Sequence, residues 1–261
     1  MSRRRLLPTW APATLSEAGG VRFLHLGTPW VQGAMRLRAP AAIELDYVQR
    51  MMVWLLLRPL DEWAGARAVQ LGLGAATITR FCHGPLRMRT TAVEINPTVI
   101  EACRLWFRLP DDGPQLQVLE MDAAAFAADP ARAGSADSLC IDLYDHDAAS
   151  PAQDSAAFYR DAARLVAAGG TMTVNLFGRN ASFAQSAAKI AAAFAGGRAF
   201  SLRPTREGNT IVVAVKQAGL PGRQVLAERA ELIEAHLRLP ARKWLRMIRD
   251  LPPLDPPDAV T

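Results

Sequence analysis

The sequence predicts an α/β protein built on a mostly parallel sheet, and three observations carry this. Short apolar runs alternate with helical patterns from residue 66 to about 195. Glycine and proline mark the joins, with Gly72 and Gly74 after the first run, Pro97 at a helix start, and Gly169-Gly170 before the fifth run. The alternation then gives way to two runs that can pair as a hairpin around Glu207-Gly208-Asn209. Repeated β-α units make parallel strands, because each crossover needs a helix to cover the sheet.

Taken in order, residues 1–20 mix Arg, Pro, Ala and Gly and read as a flexible arm. Residues 21–60 form a small N-terminal β-rich segment, broken by Gly27, Pro29, Gly33 and Pro40, and then a helix over 43–57. That helix spaces Tyr47, Met51, Trp54 and Leu55 by three or four where its apolar face should lie. Residues 61–217 form the main Rossmann-like domain, with strands at 66–71, 89–93, 115–119, 138–143 and 171–175. Its helices begin at 76 and run over 97–107, 123–128, 154–166 and 181–195. Pro97 suits a first helical position, and Gly169-Gly170 is expected to stop a helix. Runs at 200–203 and 210–216 close the sheet as an antiparallel hairpin. Residues 218–261 are a C-terminal helical extension, with helices over 224–238 and 241–249 and a proline-rich tail.

The chain has 261 residues, 50% of them hydrophobic, enough for a sizeable core. The net charge of +5 comes almost wholly from arginine, since Lys189, Lys216 and Lys243 are the only lysines. Those charges are scattered, apart from Arg3 to Arg5, and form no dense stripe with stacking aromatics. Nucleic acid is therefore not the expected partner. Cys82, Cys103 and Cys140 are odd in number and make no C-x-x-C pair, which argues against a disulfide framework. His25, His83, His146 and His236 lie far apart, so no metal site is expected. No apolar run reaches membrane-spanning length, and the stretch after Arg5 ends at Pro8, too short for a signal peptide. A cytoplasmic setting with no membrane partner is the expectation.

Leu71-Gly72-Leu73-Gly74-Ala75-Ala76 stands where the first strand turns into a helix. Gly72 and Gly74 let backbone approach a ligand, and the helix start offers free amides. Glu94 closes the second strand, 22 residues beyond Gly72, where a carboxylate can accept from both hydroxyls of a ribose. Asp122 follows the third strand. It can accept from an adenine amine, cap the helix over 123–128, or do both. All three lie at the carboxyl ends of strands, where open α/β sheets bind ligands. A dehydrogenase would share the turn and the acid. The element order and closing hairpin fit a Rossmann-like class I methyltransferase sheet better, with an S-adenosylmethionine-type ligand.

The fourth strand runs into Asp142-Leu143-Tyr144-Asp145-His146-Asp147. Crowded carboxylates raise one another's pKa unless a cation sits among them, so a cationic substrate or simple solvent exposure must satisfy them. On these residues, with Val31-Gln32-Gly33, Glu44-Leu45-Asp46-Tyr47, Val93-Glu94-Ile95, Met121-Asp122-Ala123 and Phe158-Tyr159, the chain resembles the spermidine synthase family of polyamine aminopropyltransferases. The resemblance spans roughly residues 21–216. It implies a small N-terminal β-domain before the main sheet, and a homodimer. It implies aminopropyl transfer from decarboxylated S-adenosylmethionine to a small-molecule amine. It gives Asp142 the role of orienting and deprotonating the amine, and Asp145 and Tyr47 places in the same pocket. It makes Glu94 the ribose ligand, Asp122 the adenine ligand and Gln32 an N-terminal contributor.

One departure keeps other functions open. Family members carry an aspartate in the glycine turn, for the cofactor's ammonium, where this chain has Ala75. Ordinary S-adenosylmethionine brings its own carboxylate to that ammonium. A methyltransferase on the same frame, or a non-catalytic nucleoside-binding protein, therefore stands beside the aminopropyltransferase.

Overall fold

The computed structural model describes residues 10–143, 154–177, 182–217 and 219–251. Two sheets share the chain. The first is antiparallel, in the order β1 (Ala13–Ala18), β2 (Val21–Leu26), β3 (Gly33–Arg36). Gly19 and Gly20 both take positive φ between β1 and β2, the geometry a two-residue hairpin needs. Residues 13–18, read from composition as part of a flexible arm, are thus strand. Their backbone pairs from Ala13–Leu26 to Ala18–Val21. The expected helix over 43–57 is α1 (Asp46–Met51) and a 3-10 turn over Met52–Leu57.

The main sheet holds β4 (Arg67–Leu71), β5 (Arg89–Glu94), β6 (Leu116–Glu120), β7 (Ala136–Ile141), β8 (Val166–Phe177), β9 (Arg198–Leu202), β10 (Asn209–Val215) and β11 (Ile248–Asp250). Their order is β11-β9-β10-β8-β7-β4-β5-β6. From β6 through β8 the pairs are parallel, and β10, β9 and β11 add on antiparallel. The order reverses at β4, between β5 and β7. A crevice opens at such a switch point, outside the carboxyl ends of the strands.

The helices are α2 (Thr77–His83), α3 (Pro97–Trp106), α4 (Ala123–Ala128), α5 (Ala156–Leu165), α6 (Ser182–Ala193), α7 (Arg223–Leu237) and α8 (Ala241–Leu245). Three begin on side-chain caps. Asn96 accepts from Thr98 N, Asp122 from Ala125 N and Ser155 from Phe158 N. Each cap satisfies an amide that the helix itself cannot, worth about 1 kcal/mol.

Two further expectations are corrected. The Gly169-Gly170 pair does not stop a helix. α5 ends at Leu165, and the glycines lie inside β8, where the strand bulges between the Val166–Ala136 and Thr171–Ser138 pairs. A Cβ on Gly170 would come within 2.9 Å of Val166 Cγ1, so the bulge is built on the missing side chain. Residues 248 and 249, expected as the end of the helix over 241–249, form β11 together with Asp250. Ile248 pairs with Leu202 and covers the open edge of β9.

Apolar layers cover both faces of the sheet. β10 shows the division by its period of two: Ile211, Val213 and Val215 enter one cluster, Val212 and Ala214 the other. The first cluster gathers Trp54, Trp63, Phe81 and Trp244, and takes Leu226, Ala230 and Ile233 from α7. The C-terminal helices therefore pack on the domain itself. The second gathers Phe126, Phe158, Tyr159, Leu165 and Phe194. A third joins Leu24 and Met35 of the small sheet to Leu73, Val99 and Phe107, which fixes that sheet over the glycine turn. Buried Arg80 reinforces the joint, donating from Nε to Pro40 O at 3.2 Å and from Nη1 to Ala75 O. Burial pulls its guanidinium down to about 10.

Asp137 ties β7 to β4. Its carboxylate accepts from Arg67 N at 2.9 Å and from Arg67 Nε at 3.0 Å. Burial alone would raise this carboxyl, but the bonds and charge of Arg67, with Arg58 behind, hold it below the usual range. A depressed folded pKa contributes stability above the unfolded pKa, and that stability is lost as pH falls through the folded value. Asp137→Asn is expected to lower the melting temperature at pH 7 by about 2 °C, the scale of a half-exposed pair. Calorimetry below about pH 4, near the unfolded aspartate value, should find that gap narrowing.

Candidate active site

A cleft of about 540 Å³ opens over the carboxyl ends of β4, β5 and β7. Six residues singled out in the sequence line it: Gln32, Tyr47, Gly72, Gly74, Glu94 and Asp142. Asp145 lies outside the described residues.

The floor is knitted from strand ends. Gly72 N donates to Val93 O at 2.9 Å, and Asp142 N donates to Leu71 O at 2.9 Å. Gly72 takes φ +86°, and a Cβ there would lie 2.1 Å from the Asp142 carbonyl oxygen. Only glycine lets β4 and β7 end this close together. Gly74 faces the small sheet, with the Gln32 carbonyl 3.1 Å from where its Cβ would be.

Ala75 does not face the cleft. It is 2% exposed and rests against Gly33, where an added Cβ would come within 2.5 Å of its own. The side chain at position 75 is thus spent on packing β3 against the turn. A larger or charged residue there would have to displace that strand.

Glu94 spans the turn and the next helix. Its Oε2 accepts from Leu73 N at 3.0 Å and its Oε1 from Asn96 N at 2.9 Å. Burial pushes its carboxyl up, against the opposing pull of the Asn96, Leu73 and Ile95 amides. The carboxylate is an acceptor with two oxygens, fixed at the cleft edge, the chemistry that suits a vicinal diol. Asp122 is placed beside the cleft as the cap of α4, its Oδ1 accepting from Ala125 N at 2.8 Å, while Met121 and Ala123 form the wall.

Asp142 sits half-buried where β7 ends. Tyr47 OH donates to its Oδ2 at 3.2 Å, and Asn175 Nδ2 donates to its Oδ1 at 2.8 Å. Burial raises its carboxyl above the ordinary aspartate value, and the bonds from Asn175 and Tyr47 oppose the rise. Asn175, at the end of β8, was not singled out in the sequence, and neither was Asn209, which lines the cleft from the start of β10. The position of Asn175 at a strand's carboxyl end was the available signal. Asn209 read only as a turn residue.

The rest of the wall is apolar. Trp30 is 71% exposed at the mouth, with Val31, Ile95 and Phe177 nearby. Such walls can take a purine and a short alkyl chain, while Glu94 and Asp142 supply separate charged points. Among the described residues, no three His, Cys, Asp or Glu side chains are grouped to hold a metal ion. No described helix is long and apolar enough to cross a membrane. Cys82, Cys103 and Cys140 are free and buried. Burial pushes the thiols of Cys103 and Cys140 up to about 12 and about 11, so they stay neutral.

No protein-family model matches the chain. Over 252 residues it is 28% identical to a curated protein of Chromobacterium violaceum named polyamine aminopropyltransferase, covering 95% of this chain and 94% of that one. It superposes on the crystal structure of a probable spermidine synthase from Corynebacterium glutamicum with a TM-score of 0.70, at 16% identity and 95% coverage of both chains. The chain is thus similar in sequence to polyamine aminopropyltransferases and in fold to a probable spermidine synthase. Human methyltransferase-like protein 13, solved in complex with SAH, shares the fold with a TM-score of 0.64, at 20% identity over 83% of this chain and 97% of that one. The chain has the mostly parallel methyltransferase-type sheet, closing hairpin and small N-terminal sheet expected from its sequence.

Proposed function

We propose that the chain moves an aminopropyl group from decarboxylated S-adenosylmethionine to a small-molecule amine. One observation carries this: a raised, hydrogen-bonded carboxylate, Asp142, stands in the same cleft as the ribose-type acceptor Glu94. The name of the 28%-identical relative supports the same reaction. In it, the amine lone pair attacks the propyl carbon beside the sulfonium. The C–N bond forms, the C–S bond breaks, and its electrons return to sulfur, leaving neutral methylthioadenosine. Free alkyl amines resemble lysine, with pKa near ~10.4, and are mostly protonated at neutral pH. Asp142 accepts the amine's proton and aligns its lone pair, a task served by a carboxyl above the ordinary aspartate range. Glu94 accepts from the ribose, and the wall of Met121, Ala123 and Val99 receives the base.

One observation favours a second reading. The turn over residues 72–76 brings no carboxylate to the cleft for the cofactor's ammonium, which suits ordinary S-adenosylmethionine and methyl transfer. Mass spectrometry of reactions with each cofactor, with and without diamines, separates the two. Methylthioadenosine that depends on both decarboxylated cofactor and amine is the expected product. S-adenosylhomocysteine instead would overturn the proposal in favour of methyl transfer.

A further inference from the structure

Behind Asp142 lies a row of amides that the chemistry above leaves unused. Asn175 gives its Nδ2 to Asp142, and its Oδ1 accepts from Asn209 Nδ2 at 3.1 Å. Asn209 is 7% exposed and is itself clamped. Thr205 Oγ1 donates to Asn209 Oδ1 at 3.4 Å and accepts from Asn209 N at 3.1 Å, and Thr205 N donates to Asn209 O at 2.8 Å.

An amide side chain donates from one face and accepts on the other. Reversed, Asn175 would turn its oxygen toward the Asp142 carboxylate, and two acceptors would face each other. What fixes its orientation is the group on its far side. The Asn209 NH2 can only donate, so Asn175 must offer its oxygen there and its NH2 to Asp142.

We propose that Asn209 is a positioning residue for the transfer: through the Asn175 amide it keeps a donor on Asp142 Oδ1, and so keeps Asp142 an ionised acceptor for the amine proton. This rests on Asp142 being the base. Other charged or titratable groups surround that carboxylate. Asp46 and Tyr47 from α1, Glu94 from β5 and Glu207 from the hairpin turn line the same cleft, and Cys140 lies on its own strand. Asp46 is paired with Arg50 at 2.7 Å, and Glu207 lies in the field of Arg50 and Arg206. Asn209 is uncharged, so its influence must pass through hydrogen-bond orientation. That sets it apart from these neighbours.

The test follows Asp142 directly, by carbon-13 NMR of protein labelled at its aspartate carboxyls, with the signal assigned by its loss in Asp142→Asn. Asn209→Leu removes the donor. Asn209→Asp keeps the shape but only accepts, so Asn175 should turn round. Both should move the Asp142 titration to higher pH, and the acidic limb of kcat/KM should move with it. On that limb the rate should fall about tenfold, the scale of one hydrogen bond to a charged group. In an Asn175→Ala background Asn209→Leu should shift the titration no further, while Asn209→Asp should keep only the shift that its added negative charge imposes through space. An unmoved titration in folded Asn209→Leu would overturn the proposal, and so would an Asn209→Leu shift that survives Asn175→Ala. If Asn209→Leu does not fold, the smaller and equally uncharged Asn209→Ala decides on the same criteria. Wild-type protein that forms no methylthioadenosine defeats the aminopropyl reading, while the NMR titration still reports whether Asn209 orients Asn175.

Discussion

Asp142→Asn is expected to lower the rate of aminopropyl transfer by about 10²–10⁴-fold, the usual contribution of a positioned general base. Affinity for methylthioadenosine should stay within about twofold, because the nucleoside's charged contact is at Glu94 and a spared contact leaves binding unchanged. The substitution is nearly isosteric, so the β7 end and the Asp142 N to Leu71 O bond that shapes the floor should persist. What changes is the proton inventory. An asparagine cannot take a proton from an ammonium, and its NH2 would meet one of the two donors, Tyr47 OH or Asn175 Nδ2, that now point at carboxylate oxygens. Single-turnover kinetics beside calorimetric binding separate the two effects. Unchanged turnover would remove Asp142 from the mechanism.

Glu94→Ala is expected to weaken nucleoside binding by about 10²-fold or more. In the proposed complex a ribose diol makes two bonds to the carboxylate, each worth about 1.5–3 kcal/mol when charged, and every 1.4 kcal/mol is tenfold in affinity. The substitution also strips acceptors from Leu73 N and Asn96 N, which hold the glycine turn against the start of α3. The ionised carboxylate is the form that binds. Because burial raises its pKa, affinity should be full at higher pH and decline on acidification, beginning above the ordinary glutamate range. Titration calorimetry across pH reads both effects. A dissociation constant unaltered by Glu94→Ala would place the ribose elsewhere.

Much of this site was legible in the sequence because its chemistry sits at strand ends. Glycines and carboxylates leave local marks there, as at Gly72, Glu94 and Asp142. What stayed hidden depends on partners distant in the chain. The pairing of Asn175 with Asn209 joins β8 to β10 and has no local pattern. β1 looked like an arm because its residues are mostly exposed, and its pairing with β2 came from the Gly19-Gly20 turn, not from an apolar alternation. β11 was hidden because three residues on an open edge carry almost no periodicity. The glycine pair at 169–170 misled because a bulge and a helix stop use the same residue type. The role of Ala75 emerged only when Gly33 was found against it.

The proposed transfer requires Glu94 and Asp142 to serve one bound molecule. A crystal structure with methylthioadenosine and an acceptor diamine measures this most directly. The expected result is a nucleoside whose two ribose hydroxyls meet the Glu94 carboxylate, with its sulfur and the amine nitrogen at Asp142. A nucleoside lodged away from Glu94, or one whose sulfur points away from Asp142, would contradict it.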